Sequence, residues 1–217
     1  MTVPARFTTD RIQALSDGIY GFAMTLLVAT TLDVPQLPEG GTQSDLAIGL
    51  AALLSRFWVV VLSFVLLGIF WRVHHVQYHS IRYSTDGLVW LNLATLLCVV
   101  LLPFSTELVG EHGDYPLACI VFQVNMLLIG LLALAQWRYA VRNKLLGAEV
   151  TADSVRIGTL RNLVVPAVSV VAIALAPWLA AYSCWAYVLA IPATRLLRHR
   201  SVEPNEEHVL PETEESR

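Results

Sequence analysis

Charge is scarce in this chain. Only 14% of its 217 residues are Asp, Glu, Lys or Arg, against 56% hydrophobic residues, where soluble domains carry about 25% charged residues. A soluble chain of this size has too little interior to hide so much apolar surface. Cysteine is scarce too. Cys98, Cys119 and Cys184 all lie inside apolar segments without metal-ligand spacing, which argues against a disulfide framework and for small core residues. Catalytic signatures are missing. There is no phosphate-binding glycine loop, no HExxH and no Gly-x-Ser-x-Gly, so neither an enzyme nor a cofactor is expected. The carbonyl-lined filter sequence TVGYG is also missing. Nothing points to a nucleic-acid partner. Met1 to Asp10 is polar and has no basic segment leading to a cleavage site, so the first apolar segment is expected to stay as a membrane helix.

What the chain has instead is long uncharged runs. A span needs about 20 residues at 1.5 Å each. The expected class is all-α, an integral membrane protein with six transmembrane helices over 1–198. The spans fall at about 11–32, 57–79, 87–108, 116–138, 157–176 and 178–196. A polar, disordered tail is expected over 199–217. Leu46 to Ser55, ahead of the Arg56 interruption, reads as a preceding helical or interfacial piece. The last region, Asn162 to Thr194, is uncharged for 33 residues, about 50 Å of helix and too long for one crossing. Pro177 near its middle predicts a hairpin of two shorter helices.

Six crossings place Arg6, Arg72, Arg82, Arg138, Arg142, Lys144, Arg156, Arg161, Arg195, Arg198 and Arg200 on one side. The opposite loops carry Asp33, Glu39, Asp45, Glu107, Glu111 and Asp114, with Arg56 as the exception. The positive side is expected to be cytoplasmic, with both termini there.

Polar residues inside lipid are costly and point to function by default. Arg11, Ser16 and Asp17 stand at the inner end of the first helix, with Ser16 and Asp17 roughly 140° and 240° round from Arg11. An interfacial cap, with Arg11 reaching the headgroups, explains them as well as a site does. His74 and His75 sit about 100° apart and cannot share one metal, and the i, i+4 pair His75 and His79 lacks a nearby carboxylate. Hydrogen bonding to a neighbouring helix accounts for them, with pH sensing as a side role. Asn92 in the third span needs a partner, and Pro103 frees a backbone carbonyl there.

Together these residues resemble the prokaryotic members of the transmembrane protein 175 family of potassium-permeable channels. The resemblance starts at Arg11, Ser16-Asp17-Gly18 and Ala23-Met24-Thr25-Leu26-Leu27-Val28. It continues through Trp71 with His74-His75, then Trp90, Asn92, Pro103, Phe104 and Thr106, and covers about Arg11 to Leu108. The family implies a homotetramer whose first helices line a central pore, with large apolar side chains on them forming the constriction. Carried over, the constriction falls on Phe22, with Leu26 and Ala29 following, and Thr25 takes the place of a threonine implicated in potassium preference. Arg11, Ser16, Asp17, His75 and Asn92 would form a network tying the first three helices together. The chain departs from the family at Leu15, in place of a signature Phe, at Phe22, where an aliphatic residue is usual, and at Ala29, smaller than Leu.

The resemblance implies a passive potassium-preferring cation channel in a prokaryotic cell membrane, with potassium and other monovalent cations as permeant species and lipid and further copies of itself as partners. Two other readings compete. One is a proton-coupled transporter or proton leak using Asp17, His74, His75 or His79. The other is a non-transporting membrane scaffold.

Overall fold

The computed structural model describes residues 9–189. Among them the chain is helical, with isolated β-bridges, such as Ile81 with Leu146, and no longer strand. The elements are α1 (Asp10–Thr31), α2 (Gln43–His79), α3 (Asp86–Val100), α4 (Leu102–His112), α5 (Pro116–Arg142) and α6 (Ala152–Leu179). A 3-10 return segment, Ala180–Leu189, follows α6.

Helix α2 runs unbroken for 37 residues, so Arg56 does not end it. The Arg56 guanidinium instead meets the Glu111 carboxylate of α4, with Nη2 2.9 Å from Oε2. Its first turn is held by a capping box, in which Thr42 Oγ1 accepts from the Asp45 amide and the Thr42 amide donates to Asp45 Oδ2 at 2.8 Å. Between α3 and α4 the helix is interrupted at Leu101. Pro103 has no amide hydrogen for the Val99 carbonyl four residues earlier. Asn125 of α5 donates to the neighbouring Cys98 carbonyl at 3.1 Å, as adjoining helices do for broken helices in lipid.

Five helices are long and apolar enough to cross a membrane, counting α3 with α4 and α6 with its return segment. That is one fewer than expected. The sixth expected crossing, 178–196, is represented among the described residues by the return segment alone. Ten residues of 3-10 helix rise about 20 Å, short of a core near 30 Å. The chain turns at Ala180, where φ is 44°, and not at Pro177, which stays inside α6. The segment does fold back, because Tyr187 Oη donates to Ser169 Oγ of α6 at 2.9 Å. Arg6, Arg195, Arg198, Arg200 and the tail 199–217 lie outside the described residues.

Two loops define one end of the bundle. The α2–α3 and α5–α6 connections pair through the Ile81 and Leu146 bridge, with the Arg82 amide donating to the Leu145 carbonyl at 2.9 Å. Arg72, Arg82, Arg138, Arg142, Lys144, Arg156 and Arg161 therefore gather at this end. At the other end the Ala181 amide donates to the Gly113 carbonyl at 3.0 Å, so the α6 turn sits beside the α4–α5 loop.

α5 and α6 approach closely at Gly130, where an added Cβ would lie 2.7 Å from Pro166 Cδ. A proline ring cannot swing aside. Gly130→Ala is expected to destabilise the protein by about 1–3 kcal/mol, read as a lower thermal midpoint in detergent.

Candidate functional site

Helix α1 has two unlike faces. Ser16, Tyr20, Ala23, Leu27 and Thr31 recur at helical spacing and are buried against the other helices. The opposite face, with Gly18, Phe22, Thr25 and Ala29, is exposed, and Phe22 is 62% accessible. Leu26 lies at the edge of this stripe, half-buried, because it stands about 40° round from Phe22. The Thr25 hydroxyl donates to its own helix at the Phe22 carbonyl, 2.8 Å away, so it presents oxygen lone pairs to the stripe.

The buried face carries the polar cluster. His74 Nε2 is 2.8 Å from Asn92 Oδ1, Asn92 Nδ2 donates to Ser16 Oγ at 3.1 Å, and Ser16 Oγ donates to the Ile12 carbonyl at 2.8 Å. An amide oxygen only accepts, so Nε2 of His74 carries the proton. The His74 ring also stacks on Tyr78, 4.3 Å between centroids, and leans on Tyr20. Three helices thus meet at one chain of bonds, all of whose members are buried.

Asp17 is held separately. Trp71 Nε1 donates to Asp17 Oδ1 at 2.8 Å, and the Trp71 ring leans on His75 at 5.9 Å. The expected set therefore divides. Ser16 and Asn92 come together, and Asp17 joins α2 one turn away from them. The histidine on Asn92 is His74, not His75, which points about 100° aside and is exposed. Arg11 is exposed and makes no hydrogen bond or ion pair among the described residues. Those residues contain no group of three or more His, Cys, Asp or Glu placed to hold a metal ion.

A second buried chain was not anticipated. Tyr78 Oη donates to Gln136 Oε1 at 2.9 Å, and Gln136 Nε2 donates to Thr95 Oγ1 at 2.6 Å, linking α2, α5 and α3. On the far side of the core Thr106 Oγ1 donates to Ser63 Oγ at 2.9 Å. The available signal was a glutamine or asparagine in the middle of an uncharged span, as at Gln123, Asn125 and Gln136 of α5.

These features define a polytopic α-helical membrane protein. Its first helix is left half-uncovered by the rest of the described chain, and the sequence holds no TVGYG filter. The family model described as endosomal/lysosomal potassium channel TMEM175 matches residues 11–103, and the chain is similar to that family over this stretch. A Chryseobacterium protein named as a potassium channel is 30% identical over 48% of this chain and 50% of its own length. One from Chamaesiphon minutus, also named as a potassium channel, is 29% identical over 87% of this chain and 94% of its own. The human endosomal/lysosomal proton channel TMEM175 is 27% identical over 89% of this chain, which spans 37% of that longer protein. The chain thus spans about half of the Chryseobacterium relative and a smaller share of the animal one. Among solved structures, the crystal structure of a lysosomal potassium-selective channel TMEM175 homolog from Chamaesiphon minutus superposes with a TM-score of 0.73 at 27% identity. That match covers 90% of this chain and 98% of the other.

Proposed function

We propose that this chain is a subunit of a passive potassium-preferring cation channel in a prokaryotic cell membrane, with four copies placing the exposed face of α1 around a shared axis. The observation that carries this reading is that face. Phe22, Thr25 and Ala29 are exposed while the opposite side of the same helix is fully packed. Phe22 forms the narrowest ring, with Leu26 at its flank and Ala29 above it. Rings of large apolar side chains can gate by dewetting, and Thr25 supplies the polar oxygens within the stripe. The potassium-channel names of the bacterial relatives support the choice of ion. The Ser16, Asn92 and His74 chain and the Asp17–Trp71 bond act as architecture that fixes how α1 stands. The arginine-rich end faces the cytoplasm, as the excess of Lys and Arg in short loops favours, which puts the start of α1 on that side.

Purified protein in liposomes is expected to pass potassium down its gradient without ATP, and sodium more slowly. A correctly folded tetramer that passes no potassium would sink the proposal.

Proton permeation is the second reading. The animal relatives are named proton channels, and Asp17 is an exposed acidic residue within α1. It predicts that a pH gradient alone drives flux with no potassium present, and that Asp17→Asn removes this flux.

A further inference from the structure

Two of the three cysteines meet at the end of the bundle opposite the arginine-rich loops. Cys119 stands in the first turn of α5, and Cys184 in the second turn of the return segment that follows α6. Both are fully buried. Cys98 belongs to α3, where its backbone carbonyl takes the Asn125 amide.

Contacts on either side bracket the pair. The Gly113 carbonyl, in the α4–α5 loop, accepts from the Cys119 thiol at 3.5 Å and from the Ala181 amide at 3.0 Å. Cys184 lies one 3-10 turn beyond Ala181, and Gln123 lies one α-helical turn beyond Cys119. Gln123 Nε2 donates to Ser183 Oγ at 2.6 Å and reaches Cys184 Sγ at 3.8 Å. The side chains of Cys119 and Cys184 therefore share one gap between α5 and the return segment, and the two thiols are hydrogen-bonded to each other. Other faces of the return segment fix its rotation. Trp185 stacks on Trp58 of α2 with 5.3 Å between centroids, and Tyr187 donates to Ser169 of α6.

We propose that Cys119 and Cys184 close an intramolecular disulfide that staples the return segment to α5. This rests on the orientation proposed above, which puts the pair at the extracytoplasmic end, where disulfides form and persist. The oxidant is a disulfide-bearing thiol oxidant of that compartment. While the return segment is still undocked, the Cys119 thiolate attacks the oxidant's disulfide and one oxidant thiolate leaves. The Cys184 thiolate then attacks the Cys119 sulfur of the mixed disulfide and expels the second. The two protons given up by the cysteines end on the two released thiols, so one disulfide is reduced as the cysteine pair is oxidised. The loop so closed contains all of α6, and a crosslink across a long loop constrains the unfolded chain most.

Cells making the full chain are lysed into dodecyl sulfate with excess maleimide, and intact mass counts the adducts with and without prior reduction. One adduct is expected without reduction, at Cys98, and three after it. Cys184→Ser is expected to take two in both cases. Protein purified under reduction and then treated with one equivalent of dipyridyl disulfide is expected to regain the bond, and peptide mapping to place it between Cys119 and Cys184. In detergent, reduction is expected to lower the thermal midpoint of the wild type by about 5–10 °C and to leave that of Cys184→Ser unchanged. A bond that the oxidant closes in purified protein but that is absent in cells would overturn the orientation and uphold the pair. Three wild-type adducts in both arms, or a bond that includes Cys98, would overturn the proposal.

Discussion

Phe22→Ala is expected to raise single-channel potassium conductance by at least about tenfold. That requires only about 1.4 kcal/mol off the barrier to ion entry. Phe22 is the largest side chain on the exposed stripe of α1, and its neighbours along that stripe, Gly18 and Ala29, are small. Around a four-fold axis its rings would be the principal apolar obstacle. Truncating them admits water, and a wetted constriction no longer imposes the cost of stripping an ion. The change should not unfold the subunit, because Phe22 is 62% accessible within it. Planar-bilayer recording gives the conductance, and size-exclusion chromatography checks that the assembly persists. Unchanged conductance in an intact assembly would remove Phe22 from the pore.

The apolar periodicity and the scarcity of charge made the helical membrane architecture legible in the sequence, because lipid leaves few other backbone solutions. Three details were not legible, each for a physical reason. Arg56 reads as an interruption of α2 because a lone arginine in an apolar run is costly. Its partner Glu111 is 55 residues away and comes beside it only in the folded bundle. The turn after α6 was expected at Pro177, yet the helix passes through that proline and reverses at Ala180. In lipid, neighbouring helices relieve the carbonyl that a proline strands, and no sequence rule marks an alanine at positive φ. The choice between His74 and His75 depends on the rotation of α2 about its axis, which a pair of adjacent histidines does not reveal. One clue was present. Tyr78 follows His74 at i+4, and the two rings stack.

The polar chain through Asn92 has the larger consequence for stability. Asn92→Leu is expected to destabilise the subunit by about 2 kcal/mol, lowering its thermal midpoint by about 4–8 °C. The cost comes from what the substitution leaves behind. Asn92 is the middle member, so its loss strands the His74 Nε2 hydrogen and removes the donor to Ser16 in one step. Ser16→Ala should cost less, near the average of about 0.6 kcal/mol for a hydrogen bond between membrane helices, because His74 and Asn92 keep each other. The double variant should then be hardly worse than Asn92→Leu alone, since Ser16 without Asn92 retains only its bond to the Ile12 carbonyl of its own helix. Additive losses would mean that the two residues act independently, and that His74, Asn92 and Ser16 are not the tie that holds α1 upright. The same variants separate architecture from ion contact. In the assembled channel Asn92→Leu should change how often it opens. Open-state conductance should stay as it was, since Asn92 is 1% exposed and bonds to the buried face of α1, opposite Phe22.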